Sequence, residues 1–330
     1  MTTPEAPLPG LHLRRAIAAE IERDPVLVSE FGVELKLAPA EYTESVAALY
    51  RNAFERGDYF ASRYSDPENQ IFSPQWLEQE FQDPEHLRFI FTDSQGILLG
   101  ATGFFHDRDS TARPLMTSDA TQIDIPGRGE HIMGYFFGRI VPIVEACGDG
   151  ILTDFVLTPE SKGLRRTLQT ELGMVALGIH PHALHHRKLD ITRSEISAAK
   201  YPVLTPKPVR ILPEFEPLYR IVQSQLPLPE PTILPVQTDK LPHFTEQSAE
   251  VVREVDAIDP ESQRDALAAG WAPVEFDPDS NLFKVAQFPS ERPELDFILT
   301  NEDVPANKLL VRYLNEVLYG QGPDKGGIYE

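Results

Sequence analysis

Apolar residues recur along the first two thirds of the chain at two spacings, and the change from one to the other predicts an order of elements. "GVELKLAPA" alternates as a strand does. "YTESVAALYRNAFERG" after it sets Val46, Leu49, Tyr50 and Phe54 at the period of an amphipathic helix. "SPQWLEQEFQ" (73–82) predicts a second helix, with Ser73 as its cap and Pro74 in its first turn. "LRFIFTDSQGILLGATGFFHD" predicts two strands joined through the turn residues "DSQG". After a connection that includes "HIMGYFFGRIVPIVEAC", the stretch "GDGILTDFVLTP" predicts a third strand of this group. It runs into "GLRRTLQTELGMVALGIH", where Leu164, Leu168, Leu172, Val175 and Leu177 keep near one side of a helix, and "HRKLDIT" predicts one more strand. The expected order is strand, helix, helix, strand, strand, strand, helix, strand.

The pattern changes after Tyr201. Many of the thirty prolines fall in "PVLTPKPVRILPEFEPLYRIVQSQLPLPEPTILPVQTDKLP", which cannot be one long helix because each proline removes a donor and restricts the residue before it. Short extended pieces around a helix near "FEPLYRIVQSQL" are expected there. "ANKLLVRYLNEVL" (306–318) predicts a helix through Leu309, Leu310, Tyr313, Leu314, Val317 and Leu318, and "FTEQSAEVVREVDAI" (244–258) predicts another. The expected organisation is an N-terminal segment 1–33, a domain 34–205, and a Pro-rich C-terminal extension or small α/β domain 206–330.

Composition narrows the classes of function. A chain of 330 residues, 41% hydrophobic and 25% charged, can bury a sizeable core. Its formal net charge of -21 argues against duplex nucleic acid or an anionic membrane as partner. The single cysteine, Cys147, excludes an intrachain disulfide and a multi-cysteine zinc site, and with neither a secretory signal nor a membrane-spanning window in the sequence a cytoplasmic protein is expected.

The stretch "TPESKGLRRTLQTEL" (158–172) carries the most specific chemistry. A tight turn feeding a helix points unpaired backbone N–H groups outward, and with the positive end of the helix dipole these can hold a pyrophosphate. Gly163 would let the backbone approach, and Lys162, Arg165 or Arg166 would add charge. Asp154, inside the apolar "ILTDFVL", is either a base whose pKa burial raises or a carboxylate on the strand's solvent side.

This order of elements, with Val156 and Pro159 ending a strand and "ESKGLRRTL" forming a glycine turn and helix, resembles the GNAT superfamily of acyl-CoA N-acyltransferases. A second segment, "LDITRSEISAAKYPVL", puts Tyr201 where that family often has a tyrosine. The resemblance covers roughly half of the chain and implies an α/β (α+β) fold, a central splayed sheet flanked by helices, with a smaller C-terminal extension. It implies acetyl-CoA or another acyl-CoA as donor, held by Val156, Lys162, Gly163, Leu164, Arg165, Arg166 and Thr167, with no metal. It further implies Tyr201 as the acid that protonates the leaving thiolate and Asp154 as candidate base, the acceptor being an amine of a small molecule or a protein. Glu160 and Arg165 depart from the family's pattern, which wants a basic or amide residue at the one position and a small residue at the other. Two classes of function follow: an N-acyltransferase using an acyl-CoA or an acyl carrier protein, and a noncatalytic GNAT-like module that binds an acyl thioester or a protein partner. The tail could cover the cleft, contact substrate or form a homodimer surface.

Three other features carry weaker expectations. His180, His182, His185 and His186 in "HPHALHH" are read as a solvated turn or a wall of the cleft mouth, since no metal-binding motif accompanies them. "GRGE" (127–130) is read as a loop, and "IMGYFFGRIVP" (132–142) as a buried strand, a helix start or an aromatic pocket wall. Cys147 is read as packed or unreactive.

Overall fold

A computed structural model gives the fold and describes residues 9–61, 66, 68–106, 115–124, 129–235, 244–245, 252–289 and 292–320. The chain forms two compact units. The first comprises Met1–Thr153, His186–Asp190 and Lys200–Pro202; the second comprises Asp154–His185, Ile191–Ala199 and Val203–Glu330. The division falls within one strand, between Thr153 and Asp154, whereas the sequence suggests a boundary near 205.

The first unit begins with α1 (Pro9–Arg23), followed by β1 (Val26–Val28), β2 (Val33–Leu37), α2 (Thr43–Arg56) and β3 (Tyr59–Ala61). Then come α3 (Pro74–Gln82), β4 (His86–Thr92), β5 (Leu98–His106), β6 (Leu115–Ile123), α4 (Gly129–Ala146) and the first residues of β7 (Gly150–Val156). Its sheet runs in the order β1, β2, β4, β5, β6, β7, antiparallel except for the parallel pair β6 and β7.

Local rules explain the helix ends. The Ser73 hydroxyl accepts from Trp76 N and Pro74 opens α3, while Gly57 ends α2 at φ 78°. A side chain at Gly57 would also meet the backbone of Lys188 at 2.7 Å. Val46, Leu49, Tyr50 and Ala53 of α2 pack with Leu77 and Phe81 of α3, as their spacing predicts.

α4 is the element that the apolar pattern concealed. It buries Ile132, Phe136, Ile140 and Val144, four residues apart, and the Phe136 ring lies 5.1 Å from Phe89, 5.6 Å from Phe91 and 5.8 Å from Phe104. Truncating Phe136 to Ala would cost about 3–5 kcal/mol.

In the second unit, the end of β7 leads to α5 (Lys162–Arg166), β8 (Val175–His186) and β9 (Ile191–Lys200). The expected helix over 163–180 therefore stops early: a π turn (Thr167–Glu171) closes it, Gly173 takes φ 68°, and Val175 onward is strand. β10 (Arg210–Ile211) pairs with β11 (Thr232–Ile233), with α6 (Glu216–Gln223) between them, as "FEPLYRIVQSQL" predicts. β12 (Phe244–Thr245), β13 (Val252–Asp256), α7 (Pro260–Ala268), β14 (Ala272–Asp277), β15 (Leu282–Ala286), β16 (Phe288–Pro289), α8 (Asp296–Asn301) and α9 (Pro305–Arg312) complete the order, α9 continuing as a π turn to Leu318. The helix expected at 244–258 is replaced, among the described residues, by β12 and β13.

The larger sheet of this unit runs β9, β8, β14, β15, β13. Phe276 and Phe283 on one face stack 4.6 Å apart and meet Tyr219 and Phe215 around α6 at 5.0 and 4.9 Å. The opposite alternation, Glu275 with Lys284, carries charge.

Candidate functional site

In the first unit, β6 and β7 are joined by α4, a parallel crossover. Leu115, Met116 and Thr117 of β6 pair with Gly150, Ile151 and Leu152 of β7, and β6 continues to Ile123. A connection of sequence "DIPGR" leads to Gly129, the first residue of α4; residues 125–128 lie outside the described ones, and Gly129 and Glu130 of the "GRGE" stretch belong to the helix. At the end of β6, Asp124 pairs with Arg56 at 3.3 Å, and Arg56 also holds Asp58 at 2.8 Å, which raises the guanidinium pKa.

Tyr201 also belongs to the first unit, but at the other end of α4. Lys200, next to it, pairs with Glu145 at 3.1 Å, and Glu145 is in the last turn of the helix. Eighteen residues of helix span about 27 Å. Tyr201, expected as the acid near the donor, therefore lies by the last turn of α4 and far from its start.

The turn after β7 has its own internal partners. The Ser161 hydroxyl donates to Val156 O at 2.6 Å and accepts from Thr158 N at 3.2 Å. Arg165, expected to hold phosphate, is 1% exposed; its Nε donates to Glu302 Oε2 at 2.6 Å and its Nη1 to Thr158 O at 2.8 Å and to Ser161 Oγ. Glu302 Oε1 in turn accepts from Val304 N at 3.2 Å, at the entry to α9. The buried guanidinium thus ties the turn to the tail. Lys162 pairs with Asp303 at 3.0 Å, and a side chain at Gly163 would meet open space, so no close backbone approach requires glycine there. Arg166 is exposed, and Leu164 and Thr167 are half-buried. A helix of five residues followed by a π turn is a poor anchor for a pyrophosphate.

Asp154 is exposed and accepts a hydrogen bond from the Ser197 hydroxyl on β9, the solvent-side reading of its strand. Beyond it lies a constellation that the sequence reading missed. Glu275, 1% exposed, accepts from His180 Nε2 at 2.8 Å and from Lys284 Nζ at 2.7 Å. Burial opposes ionisation of Glu275, but Lys284 and His180 together hold its pKa well below the carboxylate range; burial likewise works against Lys284, and Glu275, Asp154 and Asp277 keep it ionised and raise it. The one available signal was a glutamate between Val274 and Phe276 in an apolar run, the same argument applied to Asp154.

The remaining candidates fall into place as packing. Phe136 and Phe137 are core, while Tyr135 is 52% exposed. Burial, then Asp149, pushes the Cys147 thiol up, away from thiolate chemistry. His182 Nδ1 meets Thr192 Oγ1, and among the described residues no group of three or more His, Cys, Asp and Glu could hold a metal. No helix among them is long and apolar enough to cross a membrane.

No family model matches the chain, and no curated protein matches it. Over half its length the chain is similar to solved GNAT acetyltransferases. One is a GNAT superfamily phosphinothricin acetyltransferase from Sinorhizobium meliloti in complex with acetyl-CoA, at 17% identity and TM-score 0.40, covering 52% of this chain and 88% of that one. A GCN5-related N-acetyltransferase from Kribbella flavida matches at 15% and 0.39, over 52% and 99%. The ribosomal-protein-S5-alanine acetyltransferase from Vibrio fischeri matches at 12% and 0.38, over 52% and 93%.

Proposed function

We propose that the chain is an N-acyltransferase that moves an acyl group from acetyl-CoA or another acyl-CoA to an amine of a small molecule or protein. The observation that carries this reading is the parallel crossover β6–α4–β7, in which Leu115, Met116 and Thr117 pair with Gly150, Ile151 and Leu152. Backbone N–H groups of β6 are suited to receive the thioester carbonyl oxygen, where charge grows as the amine attacks. The first turn of α4, entered through the sequence Gly127, Arg128, Gly129, is suited to the donor's pyrophosphate. The attacking amine forms the C–N bond, loses its proton to a base, and the C–S bond breaks to release the thiolate, which takes up a proton.

Binding is the first test. Acetyl-CoA, longer acyl-CoAs and free CoA should each raise the unfolding temperature by mass action, and the rank among them names the acyl group. Gly129→Asp suits a helix N-terminus and so keeps the fold, but sets a negative charge against the pyrophosphate; the shift should be lost. No shift with any CoA species in the unaltered chain overturns the CoA reading and moves the donor to an acyl carrier protein. Binding with no product from a broad panel of amines supports the noncatalytic module instead.

A further inference from the structure

One motif occurs twice in the second half of the chain. β7, α5, β8 and β9 form a strand, a helix and two strands, and so do β13, α7, β14 and β15. In the sheet the first set is ordered β7, β9, β8, and the second, counted from the other side, β13, β15, β14. β8 and β14 meet antiparallel at Gly178↔Glu275, as two halves about a two-fold axis do. The turns also match: "TPES" (158–161) recurs as "DPES" (259–262). In each, the first side chain accepts from a main-chain N–H of the turn, Thr158 Oγ1 from Ser161 N at 3.2 Å and Asp259 Oδ1 from Glu261 N at 3.0 Å. A glycine of positive φ then stands two residues before the next strand, Gly173 at 68° before β8 and Gly270 at 83° before β14.

The two copies end differently. β7 is paired on both sides, with β9 and, in parallel, with β6, whereas β13 is paired with β15, and among the described residues no strand pairs with its outer edge. Edge strands are commonly blunted by shortness, bulges or proline, and β1, the outer strand of the first unit, has three residues and a shifted register. β13 has none of these: five consecutive residues, Val252 to Asp256, pair with Ala286 to Leu282 without a shift. Ala257 N donates to Asn281 O at 3.1 Å and continues that register, so Val255 and Arg253 turn their main chains toward β15, and Glu254 and Asp256 turn theirs outward. Gln263 Nε2 of α7 already holds Asp256 O at 3.1 Å, which leaves the Glu254 N–H and C=O as the centre of the open edge.

Side chains along this edge indicate what would pair with it. On one face Glu275, Lys284 and Glu254 stand in one row across β14, β15 and β13 and alternate in sign, with Lys284 on Glu275 at 2.7 Å. The next place in that row, beyond β13, suits a cation. On the other face Phe276, Phe283 and Val255 form the neighbouring row, and its next place suits an apolar side chain. Arg253 and Asp256 flank these two rows and suit an acid and a second cation. The net charge of -21 favours a cationic guest as well.

We propose that the outer edge of β13 takes up an extended peptide strand of a partner protein. The strand runs parallel to β13, as β6 runs parallel to β7, and sets acidic, cationic, apolar and cationic residues in turn beside Arg253, Glu254, Val255 and Asp256. Main-chain hydrogen bonds at Glu254 supply the affinity, and the two rows of side chains supply the preference for sequence.

The test titrates the full chain into a fluorescent peptide of sequence Val-Glu-Lys-Val-Lys-Val, blocked at both ends, and follows anisotropy. Binding should saturate. The same peptide N-methylated on the residues that face β13 keeps its charge and loses its strand-pairing donors, and it should not bind. Reversing the peptide sequence, or Glu254→Gln at this exposed position, should each weaken binding about tenfold. In hydrogen exchange the Glu254 amide should be open in the free chain and become protected with the peptide bound. Absence of saturation, equal binding of the N-methylated peptide through charge alone, or equal binding of the reversed one overturns the proposal. So does a Glu254 amide as protected in the free chain as those of Arg253 and Val255, since a segment of the chain itself then covers the edge. The acyl donor plays no part in these readouts, so their failure is distinct from failure of the CoA test.

Discussion

Two strand-to-helix connections, one after β6 and one after β7, look alike as chemistry and differ as structures. The later one carries two arginines and a lysine, the residues expected around a phosphate, yet it leads into five helical residues, and its best cation is locked onto Glu302. The earlier one carries a single arginine between glycines, and it leads from a strand paired in parallel with β7 into eighteen residues of helix. Cationic side chains mark where charge is needed, and a buried carboxylate needs it as much as a ligand does.

Arg165→Ala should produce the largest effect on this comparison. Removing one partner of a buried pair leaves Glu302 charged without its counter-ion, at a cost of about 3–5 kcal/mol, read as a fall in the urea midpoint with acyl-CoA affinity of the folded protein unchanged. A drop in affinity with stability intact would return the phosphate to the turn after β7. Gly129→Asp should do the converse, weakening acyl-CoA binding by about tenfold or more with little change in stability. Equal losses in both quantities would show that α4 itself had been damaged.

The pH dependence of stability comes next. The folded-state pKa of Glu275 is lowered, so its contribution is present above the ordinary glutamate range and is lost as pH falls through that range and below. That of Lys284 is raised, so its contribution is present below the ordinary lysine value of 10.5 and is lost as pH rises beyond it. Denaturant titrations should show both limbs, and Glu275→Gln should flatten both. A flat profile in the unaltered chain would remove the charged pair from the second unit's account. The smallest effect is expected for Tyr201→Phe and Lys162→Ala: acyl-transfer rate and acyl-CoA affinity within about twofold of the unaltered chain, since one lies at the opposite end of α4 from the proposed donor turn and the other pairs at the surface.

Where the sequence misleads, it does so for identifiable reasons. β6, "LMTSDATQI", is rich in polar residues, so its alternation gives a weak apolar signal, and α4 contains Gly134, Gly138 and Pro142, which argue locally against a helix. Passing over both elements shifts the expected order by one strand and one helix, so the phosphate turn is expected at the start of α5, whereas we propose it at the start of α4. The reverse error occurs at 172–180, where leucine and valine spacing continues a helical pattern through residues that a glycine turn sends into β8.

What the sequence determined by itself was local: the α2 and α3 helices with their caps, the hairpin of β4 and β5, α6 and α9, and a mixed α/β class. Each rests on periodicities and end residues that act within a few positions. Tertiary structure alone decided which cations are free to meet a ligand and which are engaged, because Arg165 and Glu302 are 137 residues apart and His180 and Glu275 are 95 apart. The reason is desolvation. A charge's role is set by whether water or an opposite charge surrounds it after folding, and no local pattern records that neighbour.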